Sequence, residues 1–436
     1  MCAAIATGWF PCGAEFGYRG STRSQDMRRG ATGTVWGMLA AEKDARPCRA
    51  WSGPKPVDAE GTCDARRHAA AKNMSCVVVE RESQGDQDVP RKWATPISGW
   101  KKRKMNLSQH ARLSVAPMMD WTDRHCRYLH RLLSRNALLY TEMVTSPALV
   151  RGGALHLLDH HPAEHPVALQ LGGSDPEELA QAARLGVAAG YDEINLNVGC
   201  PSDRVQSGTF GAVLMRQPAL VAECVAAMRA AVDVEVTVKC RIGVDEQNPE
   251  EVLPEFLSRV GAAGCGRFII HARKAWLQGL SPKENREIPP LDHDLVLRMK
   301  GMFGGLHLSI NGGITDLEQA RHFLDAGLDG VMVGRAAYHQ PADILCQADR
   351  LIWGQGADSD PVDVVGRMQD YITEHLAQGG RLHQVTRHML GLFAGTPGAR
   401  QWRRILSEGA SREGADFGLV RHALDAVLEA RAQVVA

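Results

Sequence analysis

The sequence predicts an α/β fold, in which eight parallel strands close into a (β/α)8 barrel that is followed by a small all-helical C-terminal domain. Eight short β-rich runs recur between Leu113 and Arg335, and amphipathic stretches lie between most of them. The runs are nearly continuously apolar, which is typical of parallel strands whose outer face is covered by helices. Eight such units in succession indicate a closed TIM barrel.

The eight runs recur along the chain with other sequence between them. In order they are LSVAPM from 113, LLYTEM from 138, PVALQLG from 166, EINLNVG from 193, VEVTVKCR from 234, GRFIIHAR from 266, LHLSING from 306 and GVMVGR from 330. Segments 176–189 and 218–231 predict two of the helices between them. An open doubly wound sheet is the main alternative. That fold is expected to have a GxGxxG turn after an early strand, and the sequence has none.

Three regions are predicted, at residues 1–106, 107–355 and 360–436. In the last, VVGRMQDYITEHLAQ, RLHQVTRHMLGLF and FGLVRHALDAVLEARAQ carry apolar residues at helical spacing and predict helices. The first mixes Gly, Arg, Trp and Cys without a period and predicts an unstructured extension. It ends in the basic cluster KKRK at 101–104, which is either an arm that touches nucleic acid or part of an incorrectly assigned start. We favour an unstructured extension over a nucleic-acid arm, and an incorrectly assigned start with Met105 as the first residue is one form of that interpretation.

Composition excludes few classes of protein. The chain has 436 residues, of which 44% are hydrophobic and 23% are charged, and 50 basic residues balance 50 acidic ones. A nucleic-acid surface must therefore come from local clustering. No apolar run reaches the roughly 18 residues of a membrane span, and the N-terminus is a poor secretory signal. Eleven cysteines without a CxxC pair indicate neither a disulfide framework nor a zinc site. We expect a cytoplasmic protein.

A histidine-rich segment before the third run could suggest a metal site. Its spacing fits no HExxH-type motif, so we expect a solvated polar loop and no metal. The residues concerned are His160, His161, Glu164 and His165.

Candidate residues lie at the carboxyl ends of seven of the eight runs, and they are polar or glycine at six of these. Catalytic groups of (β/α)8 barrels lie at this end, because the βα loops all open on one face. Helix capping could explain one such residue, but it does not readily explain the series. The candidates are Pro117, Met118, Met119, Gln170, Asn197, Cys200, Lys239, Arg241, His271, Arg273, Asn311, Gly312, Gly313, Gly334 and Arg335.

The last two strand ends predict an anion site. The turns NGG at 311–313 and GR at 334–335 each precede helix-forming sequence. Glycine-rich turns expose backbone N–H groups at a helix N-terminus, where an anion is favoured. The loops after strands seven and eight are also the usual phosphate site of this fold. The alternative is a pair of ordinary tight turns.

The motifs together resemble the tRNA-dihydrouridine synthases, most closely their bacterial A-type. The similar segments are SVAPMMDWTDRHCR, YTEMVTS, ALQLGGSDP, YDEINLNVGCPSDRVQSG, IIHARKAWLQGLSPKENREIPPL, NGGI and GVMVGRAAY. The segment TRHMLGLFAGTPGARQWRR extends the resemblance into the helical region. It covers the chain from Leu113 onward, whereas residues 1–106 have no recognised counterpart.

The resemblance implies an FMN-containing barrel that reduces uridines 20 and 20a of the tRNA D-loop to 5,6-dihydrouridine with NADPH. It implies that hydride reaches uracil C6 from reduced FMN and that Cys200 protonates C5. An ordinary thiol is mostly protonated at neutral pH and can act as an acid. The implied FMN contacts are Pro117, Met118, Met119, Gln170, Lys239, His271, Asn311, Gly312, Gly313, Gly334 and Arg335. The implied tRNA contacts are Asn197, near the uracil, and Lys283, Arg286, Arg400 and Arg403.

Some residues keep two interpretations. Lys239 would favour an anionic reduced flavin if it lay beside the ring, or it could extend from the strand end to solvent. His271 could hold an anionic group or serve a structural role. The segment from His375 to Ser407 contains arginines and no acidic residue, which fits either a solvated basic face or a tRNA surface. We favour the tRNA surface.

Two other functions remain open at this point. The first is an FMN-barrel dehydrogenase of a free pyrimidine, which would share the phosphate turns and the lysine but would not need a basic helical domain. The second is a non-catalytic RNA-binding barrel, against which Cys200, Lys239 and both phosphate turns argue. The expected partners are tRNA and NADPH, with no membrane and no metal, and the expected state is a monomer.

Overall fold

Eight parallel strands form a closed barrel in which each strand pairs with the next and β8 pairs back with β1. The computed structural model describes residues 106–202 and 210–435. In chain order β1 to β8 are Leu113–Val115, Leu138–Thr145, Val167–Gly172, Glu193–Val198, Glu235–Arg241, Arg267–His271, His307–Asn311 and Gly330–Val333. Each predicted run contains one strand, so the predicted (β/α)8 barrel is confirmed. The predictions for residues 1–105 fall outside the described residues.

Helices follow the strands and cover the outside of the barrel. Within the described residues, α1 to α14 are Leu107–His110, Arg124–Leu133, Ser146–Val150, Pro176–Ala189, Pro218–Ala231, Pro249–Ala262, His293–Met302, Leu317–Asp325, Arg335–His339, Ala348–Trp353, Pro361–Ala377, Leu382–Thr386, Ala399–Gly409 and Phe417–Val435. Short 3-10 helices lie at Leu155–Leu158, Pro162–Glu164, Gly211–Arg216 and Glu284–Arg286, and a π-helical turn lies at Ala342–Cys346.

Capping residues fix where many of these helices begin. Six of them follow an aspartate or asparagine whose side-chain oxygen accepts a hydrogen bond from a backbone N–H of the first turn, which typically stabilises a helix by about 1 kcal/mol. These capping residues are Asp123, Asp175, Asn248, Asp292, Asp316 and Asp360. Five of them, Asp123, Asp175, Asn248, Asp292 and Asp316, lie in βα loops, so they also fix where these loops of the barrel mouth end.

Two apolar cores separate the inside of the barrel from its outside. The larger core lies between the outward side chains of the strands, such as Leu196 and Val238, and the surrounding helices. The smaller core lies inside the barrel and includes Tyr140 and Met332, with Leu107 of α1 at the amino-terminal end. Side chains alternate along each strand, so polar groups that share the inward face belong to the barrel interior.

The C-terminal region from α11 to α14 is helical, as predicted, but one of its helices is shorter than expected. The segment 381–393 was expected to be helical throughout, whereas α12 ends at Thr386 and turns continue to Gly398. Gly395 and Gly398 adopt positive φ of 76° and 83°. A side chain at Gly391 would lie 2.2 Å from the carbonyl oxygen of His339. Close packing on the end of α9 therefore requires a glycine at this point.

The histidine-rich segment differs from its prediction. Glu164 is fully buried, and its carboxylate accepts a 2.6 Å hydrogen bond from the buried Arg127 guanidinium. His165 lies 2.6 Å from Asp192. The expectation of a solvated loop is therefore wrong for Glu164, whose burial depends on an arginine of α2.

Residues 106–202 and 210–435 contain neither a candidate membrane-spanning helix nor a candidate metal cluster. No helix there is long and apolar enough to cross a membrane, and no group of three or more His, Cys, Asp or Glu side chains is arranged to hold a metal ion.

Candidate active site

Strand register brings most of the predicted site residues together at the carboxyl end of the barrel. Asn197 of β4 pairs with Lys239 of β5. One level higher, Arg241 of β5 pairs with His271 of β6, which pairs with Asn311 of β7. All five side chains therefore lie on adjacent strands at one mouth.

The ammonium group of Lys239 is held inside this mouth. Its Nζ donates a 3.1 Å hydrogen bond to Oδ1 of Asn311, whose Nδ2 donates a 2.7 Å bond to the carbonyl of Met332. Burial, together with the nearby charge of Arg241, lowers the pKa of Lys239 to about 8. Lys239 therefore ends at the barrel mouth with one defined partner, and its side chain is half-buried.

Positive charge is concentrated around His271. Its side chain is buried, and burial lowers the pKa of the imidazole well below its usual value. The charges of Arg241, Lys239, Arg273 and Arg286 lower this pKa further. His271 is therefore neutral, and the mouth is a site in which an anion would be favoured.

The predicted glycine turn after β7 is tightly packed. Gly312 and Gly313 adopt positive φ of 110° and 77°. A Cβ at Gly312 would lie 2.5 Å from Cδ2 of His271, and one at Gly313 would lie 2.5 Å from a methyl group of Leu291. The turn therefore needs glycine both for its backbone conformation and for the close approach of His271.

The turn after β8 lies beside the loop after β1. A Cβ added to Gly334 would lie 3.7 Å from Sδ of Met118. The backbone N–H of Met118 is held by Oγ1 of Thr122 at 2.9 Å, whereas Met119 is 55% exposed. Pro117, which precedes them, is half-buried. The structure thus brings Met118 and Gly334 together and leaves Met119 facing solvent.

Arg335 has a protein partner that the sequence did not reveal. Its guanidinium donates a 2.9 Å hydrogen bond to the carboxylate of Glu287, and both side chains are partly exposed. Arg273 of the β6–α7 loop donates to the carbonyl of Pro289. Arg335 therefore fastens this loop to the turn after β8.

Cys200 lies just beyond β4 with its backbone fixed. Its N–H donates a 2.9 Å hydrogen bond to Oδ1 of Asn197, which also accepts from the N–H of Gly199 at 3.1 Å. The Cys200 carbonyl accepts from the N–H of Ala212 at 2.9 Å. Sγ lies 3.5 Å from Oγ of Ser202.

Exposure distinguishes Cys200 from the other cysteines that the structure describes. Its side chain is half-buried, whereas five others are fully buried, namely Cys126, Cys224, Cys240, Cys265 and Cys346. Burial raises the pKa of each of these five thiols. Among the described cysteines, Cys200 is therefore the thiol available to a bound substrate.

Asn197 and Gln170 connect the Cys200 loop to the barrel interior. Nδ2 of Asn197 donates a 2.7 Å hydrogen bond to Oε1 of Gln170. Both side chains are buried. The predicted flavin contact and the predicted uracil contact are thus direct neighbours.

Arg241 organises the mouth, although sequence reasoning gave it no role. Its buried guanidinium donates hydrogen bonds to the carbonyls of Gly199 at 3.1 Å, Lys274 at 3.1 Å and Asn285 at 3.0 Å. It follows Lys239 by two residues on the same strand, so strand alternation placed it on the inward face. That signal was available in the sequence.

Asn285 shapes the segment that carries Lys283 and Arg286. Its buried amide accepts from the N–H of Trp276 at 2.7 Å and donates to the carbonyls of Trp276 and Leu280. Lys283 and Arg286 are exposed on either side of it. Their charges are thus presented by a fixed loop at the barrel mouth.

Arg400 and Arg403 lie on α13 of the helical region. Both side chains are exposed, and neither makes a hydrogen bond or an ion pair with any residue that the structure describes. Trp402 between them is buried and donates a 2.9 Å bond to the carbonyl of Met389. The helix is therefore anchored by Trp402, and both arginines extend into solvent.

Arg387 is engaged with the barrel. It donates a 2.6 Å hydrogen bond to Asp123, the capping residue of α2, and His388 contacts the same carboxylate at 3.0 Å. Burial alone would raise the pKa of Asp123, but the hydrogen bonds from His388, Arg387 and the α2 backbone lower it below its usual range.

A (β/α)8 barrel with a half-buried cysteine, a lysine and a positively charged mouth at the carboxyl ends of its strands has the architecture of an enzyme. The chain belongs to the dihydrouridine synthase family, whose model matches residues 114–430. The resemblance seen in the sequence motifs is thereby confirmed, as is the prediction that the chain is an enzyme of this family.

Several relatives are similar over most of their length. A tRNA-dihydrouridine(20/20a) synthase of Escherichia coli (strain K12) is 59% identical over 330 residues, which cover 75% of this chain and 95% of the relative. The enzyme of that name from Shewanella oneidensis is 59% identical over 72% of this chain and 93% of its own. The one from Vibrio cholerae is 56% identical over 73% and 97%.

Proposed function

We propose that this chain is an FMN-dependent enzyme that reduces the C5–C6 double bond of uridines 20 and 20a in the tRNA D-loop, with NADPH as reductant. The observation that carries the proposal is the position of Cys200. Its backbone is fixed by Asn197 at the mouth, where the charges of Lys239 and Arg241 around neutral His271 make an anion favourable. The names of the relatives supply the positions of the uridines.

The residues of the mouth fit FMN. Lys239 is a half-buried cation whose ammonium group donates to Asn311. An ammonium group has three N–H donors, so Lys239 could also donate to an anionic ring. Neutral His271 packs against the Gly312–Gly313 turn, whose backbone leaves no room for a Cβ. Burial lowers the pKa of His271 and the surrounding cations lower it further, so a bound anion such as FMN would be favoured beside it.

The residues that would hold FMN form two groups. The turns at Asn311, Gly312, Gly313 and Gly334, together with Arg335, would bind its phosphate through backbone N–H groups and one guanidinium. The ring would contact one set of side chains from β1, β3, β5 and β6, namely Pro117, Met118, Met119, Gln170, Lys239 and His271. When bound and reduced by NADPH, FMN supplies the hydride that adds to uracil C6.

Cys200 would complete the reduction. Its thiol proton goes to C5 as the hydride adds to C6, so one C–H bond forms at each carbon and the double bond is lost. The thiolate that remains must then regain a proton from solvent. General acid assistance of this kind typically contributes roughly 100- to 10,000-fold to a rate. Arg241 and Asn197 hold the loop that carries this acid.

A uridine can reach the mouth only if it leaves its stack, so the tRNA must be held while the base is extruded. Lys283 and Arg286 on the β6–α7 loop would bind phosphates near the extruded base. Arg400 and Arg403 would bind phosphates farther away, because their exposed guanidinium groups have no partner among the described residues. In this proposal, residues 107–355 form the catalytic domain and 360–436 the tRNA-binding domain of a cytoplasmic monomer.

The test separates this function from reduction of a free pyrimidine. Purified protein is incubated with NADPH and, in parallel, with unmodified tRNA, free uracil or dihydroorotate. We expect a yellow protein that turns over tRNA alone. Turnover of a free pyrimidine without any turnover of tRNA would replace the proposal with the dehydrogenase alternative.

A further inference from the structure

An unbroken chain of side-chain hydrogen bonds runs through the barrel interior from its amino-terminal half to the Cys200 loop. Asn197 donates to Gln170 at 2.7 Å, and Nε2 of Gln170 donates to Oδ1 of Asn195 at 2.8 Å. Nδ2 of Asn195 donates to the hydroxyl of Thr237 at 2.8 Å, and that hydroxyl donates to Glu193.

Glu193 is the end point of the chain and accepts at both carboxylate oxygens. Oε1 accepts from Thr237 and, at 2.8 Å, from the hydroxyl of Tyr140. Oε2 accepts from the guanidinium of Arg267 at 2.6 Å, and neither Glu193 nor Arg267 has exposed side-chain surface. Burial raises the pKa of Glu193, and the Arg267 charge opposes that rise. A carboxylate paired with a guanidinium accepts hydrogen bonds and donates none.

Glu193 determines which group donates and which accepts in every hydrogen bond between it and Asn197. Because Glu193 accepts, the single hydroxyl proton of Thr237 points toward it. The Thr237 oxygen must then accept, so Asn195 presents its NH2 group to Thr237 and its carbonyl oxygen to Gln170. By the same step, Gln170 presents its carbonyl oxygen to Asn197.

The last link reaches Cys200. Since the NH2 group of Asn197 is taken by Gln170, its carbonyl oxygen faces the backbone N–H groups of Gly199 and Cys200. If Asn197 were turned over, its NH2 group would face two N–H donors, and both of those donors would lose their acceptor.

We propose that Glu193 is a positioning residue for Cys200, and that it acts through Thr237, Asn195 and Gln170 to hold Asn197 in the one orientation that accepts the Cys200 N–H. The assignment of Cys200 as proton donor belongs to the proposed function, on which this inference rests. The same chain sets the orientation of Gln170, one of the proposed FMN contacts.

Substitution of Thr237 is the best way to interrupt the hydrogen-bond chain. It is fully buried and contributes one hydroxyl between Asn195 and Glu193. Thr237→Val keeps the shape and removes the hydroxyl, which frees Asn195 from the direction set by Glu193. Thr237→Ser restores the hydroxyl with one methyl group fewer. Ser309→Ala is the matched control, since it removes another buried hydroxyl of the barrel interior. That hydroxyl contacts His307 and does not belong to the hydrogen-bond chain from Glu193 to Asn197.

Two readouts are measured on the full-length FMN-loaded protein. The first is dihydrouridine formation after the flavin has been reduced, compared with the rate of flavin reduction by NADPH. The second is the alkylation rate of Cys200 by iodoacetamide at fixed pH, determined by peptide-resolved mass spectrometry. The second readout needs no tRNA, so it tests the hydrogen-bond chain even if the wild-type protein forms no dihydrouridine.

A misplacement of about 1 Å can cost roughly 100-fold in rate. We therefore expect Thr237→Val to slow product formation by about 10- to 100-fold with flavin reduction unchanged, and to alter the alkylation rate of Cys200. Thr237→Ser should recover most of both values, and Ser309→Ala should match the wild type. If Thr237→Val does not fold, Asn195→Ala cuts the chain one step nearer to Cys200, and the same result is expected.

Three results would overturn the inference. One is wild-type behaviour of Thr237→Val in both readouts. Another is a Thr237→Ser variant as impaired as Thr237→Val, because that would assign the effect to packing. The third is an equal effect of Ser309→Ala, which would show that any lost interior hydroxyl disturbs the barrel.

Discussion

The barrel mouth and the surface of α13 use charged side chains in opposite ways. At the mouth, Arg241 donates to three carbonyls and Lys239 to Asn311. On α13, Arg400 and Arg403 are exposed and have no partner among the described residues. The difference matches what each proposed task would require, since chemistry needs groups fixed before the substrate arrives, whereas phosphate binding needs charge that is free to pair.

Arg387 shows that this division is not simply one between domains. It belongs to the same basic, acid-free segment as Arg400 and Arg403, but it pairs with Asp123 of the barrel. A second contact of the helical region with α2 is uncharged, since Tyr371 of α11 stacks on Tyr128 at 4.0 Å between ring centroids. A run of arginines in the sequence therefore contains both structural and free charges.

The largest effect is expected at the barrel mouth, where the side chains are fixed. Cys200→Ala removes the proposed acid and should slow dihydrouridine formation by roughly 100- to 10,000-fold. Flavin reduction by NADPH should stay normal, because the thiol has no part in it. Stopped-flow absorbance and product analysis measure the two half-reactions separately. Near-normal product formation would remove Cys200 from the mechanism.

The next effect is on FMN binding at Lys239. Its pKa is lowered to about 8, mainly by burial, so the free site loses this positive charge as pH rises through that value. We expect the affinity of the FMN-free protein for FMN to fall across this range, as measured by flavin fluorescence. Lys239→Met should bind FMN about 10- to 100-fold more weakly at neutral pH and show no such pH step. A step that persists in the variant would belong to another group.

A smaller effect, on tRNA binding, is expected at the exposed arginines of α13. Arg400→Ala combined with Arg403→Ala should weaken tRNA binding about tenfold and reduce the slope of log K against log salt by roughly one to two. Flavin reduction should not change. Arg387→Ala is the matched control, since Arg387 is already paired with Asp123 and should leave the slope unaltered. Equal slopes for all three proteins would show that α13 is not a tRNA surface.

The smallest effect concerns stability. Arg387→Ala should lower the free energy of unfolding by at most about 1 kcal/mol at pH 7, because the pair is partly exposed. The folded protein lowers the pKa of Asp123, so the contribution of this carboxylate is complete above about pH 4 and is lost as pH falls further. The difference between the two proteins is lost only as pH falls through the folded-state pKa of Asp123, so denaturant titrations should give the same difference at about pH 7 and about pH 4. A difference that grows toward low pH would contradict this sign.

The sequence predicted the strands because a buried parallel strand has a local signature, a short apolar run that ends in polar residues. It predicted for the same reason that the site lies at the carboxyl ends of the strands, since Asn197, Lys239, His271 and Asn311 each lie near the end of such a run. The resemblance to a known family added proposed roles for these residues.

Contacts between distant parts of the chain were beyond sequence reasoning. Arg241 binds Lys274 and Asn285, which are 33 and 44 residues away. Glu164 is buried because Arg127, 37 residues earlier, pairs with it. Position 391 needs a glycine because the end of α9, about 50 residues earlier in the chain, packs against it. None of these contacts leaves a periodic pattern, so only the folded structure reveals them.

The central claim is that the mouth of this barrel reduces uridines of tRNA. The most direct measurement incubates the FMN-loaded protein and NADPH with unmodified tRNA and maps dihydrouridine at each position. The proposal predicts dihydrouridine at positions 20 and 20a and at no other uridine. A tRNA that stays free of dihydrouridine while NADPH still reduces the flavin would contradict it.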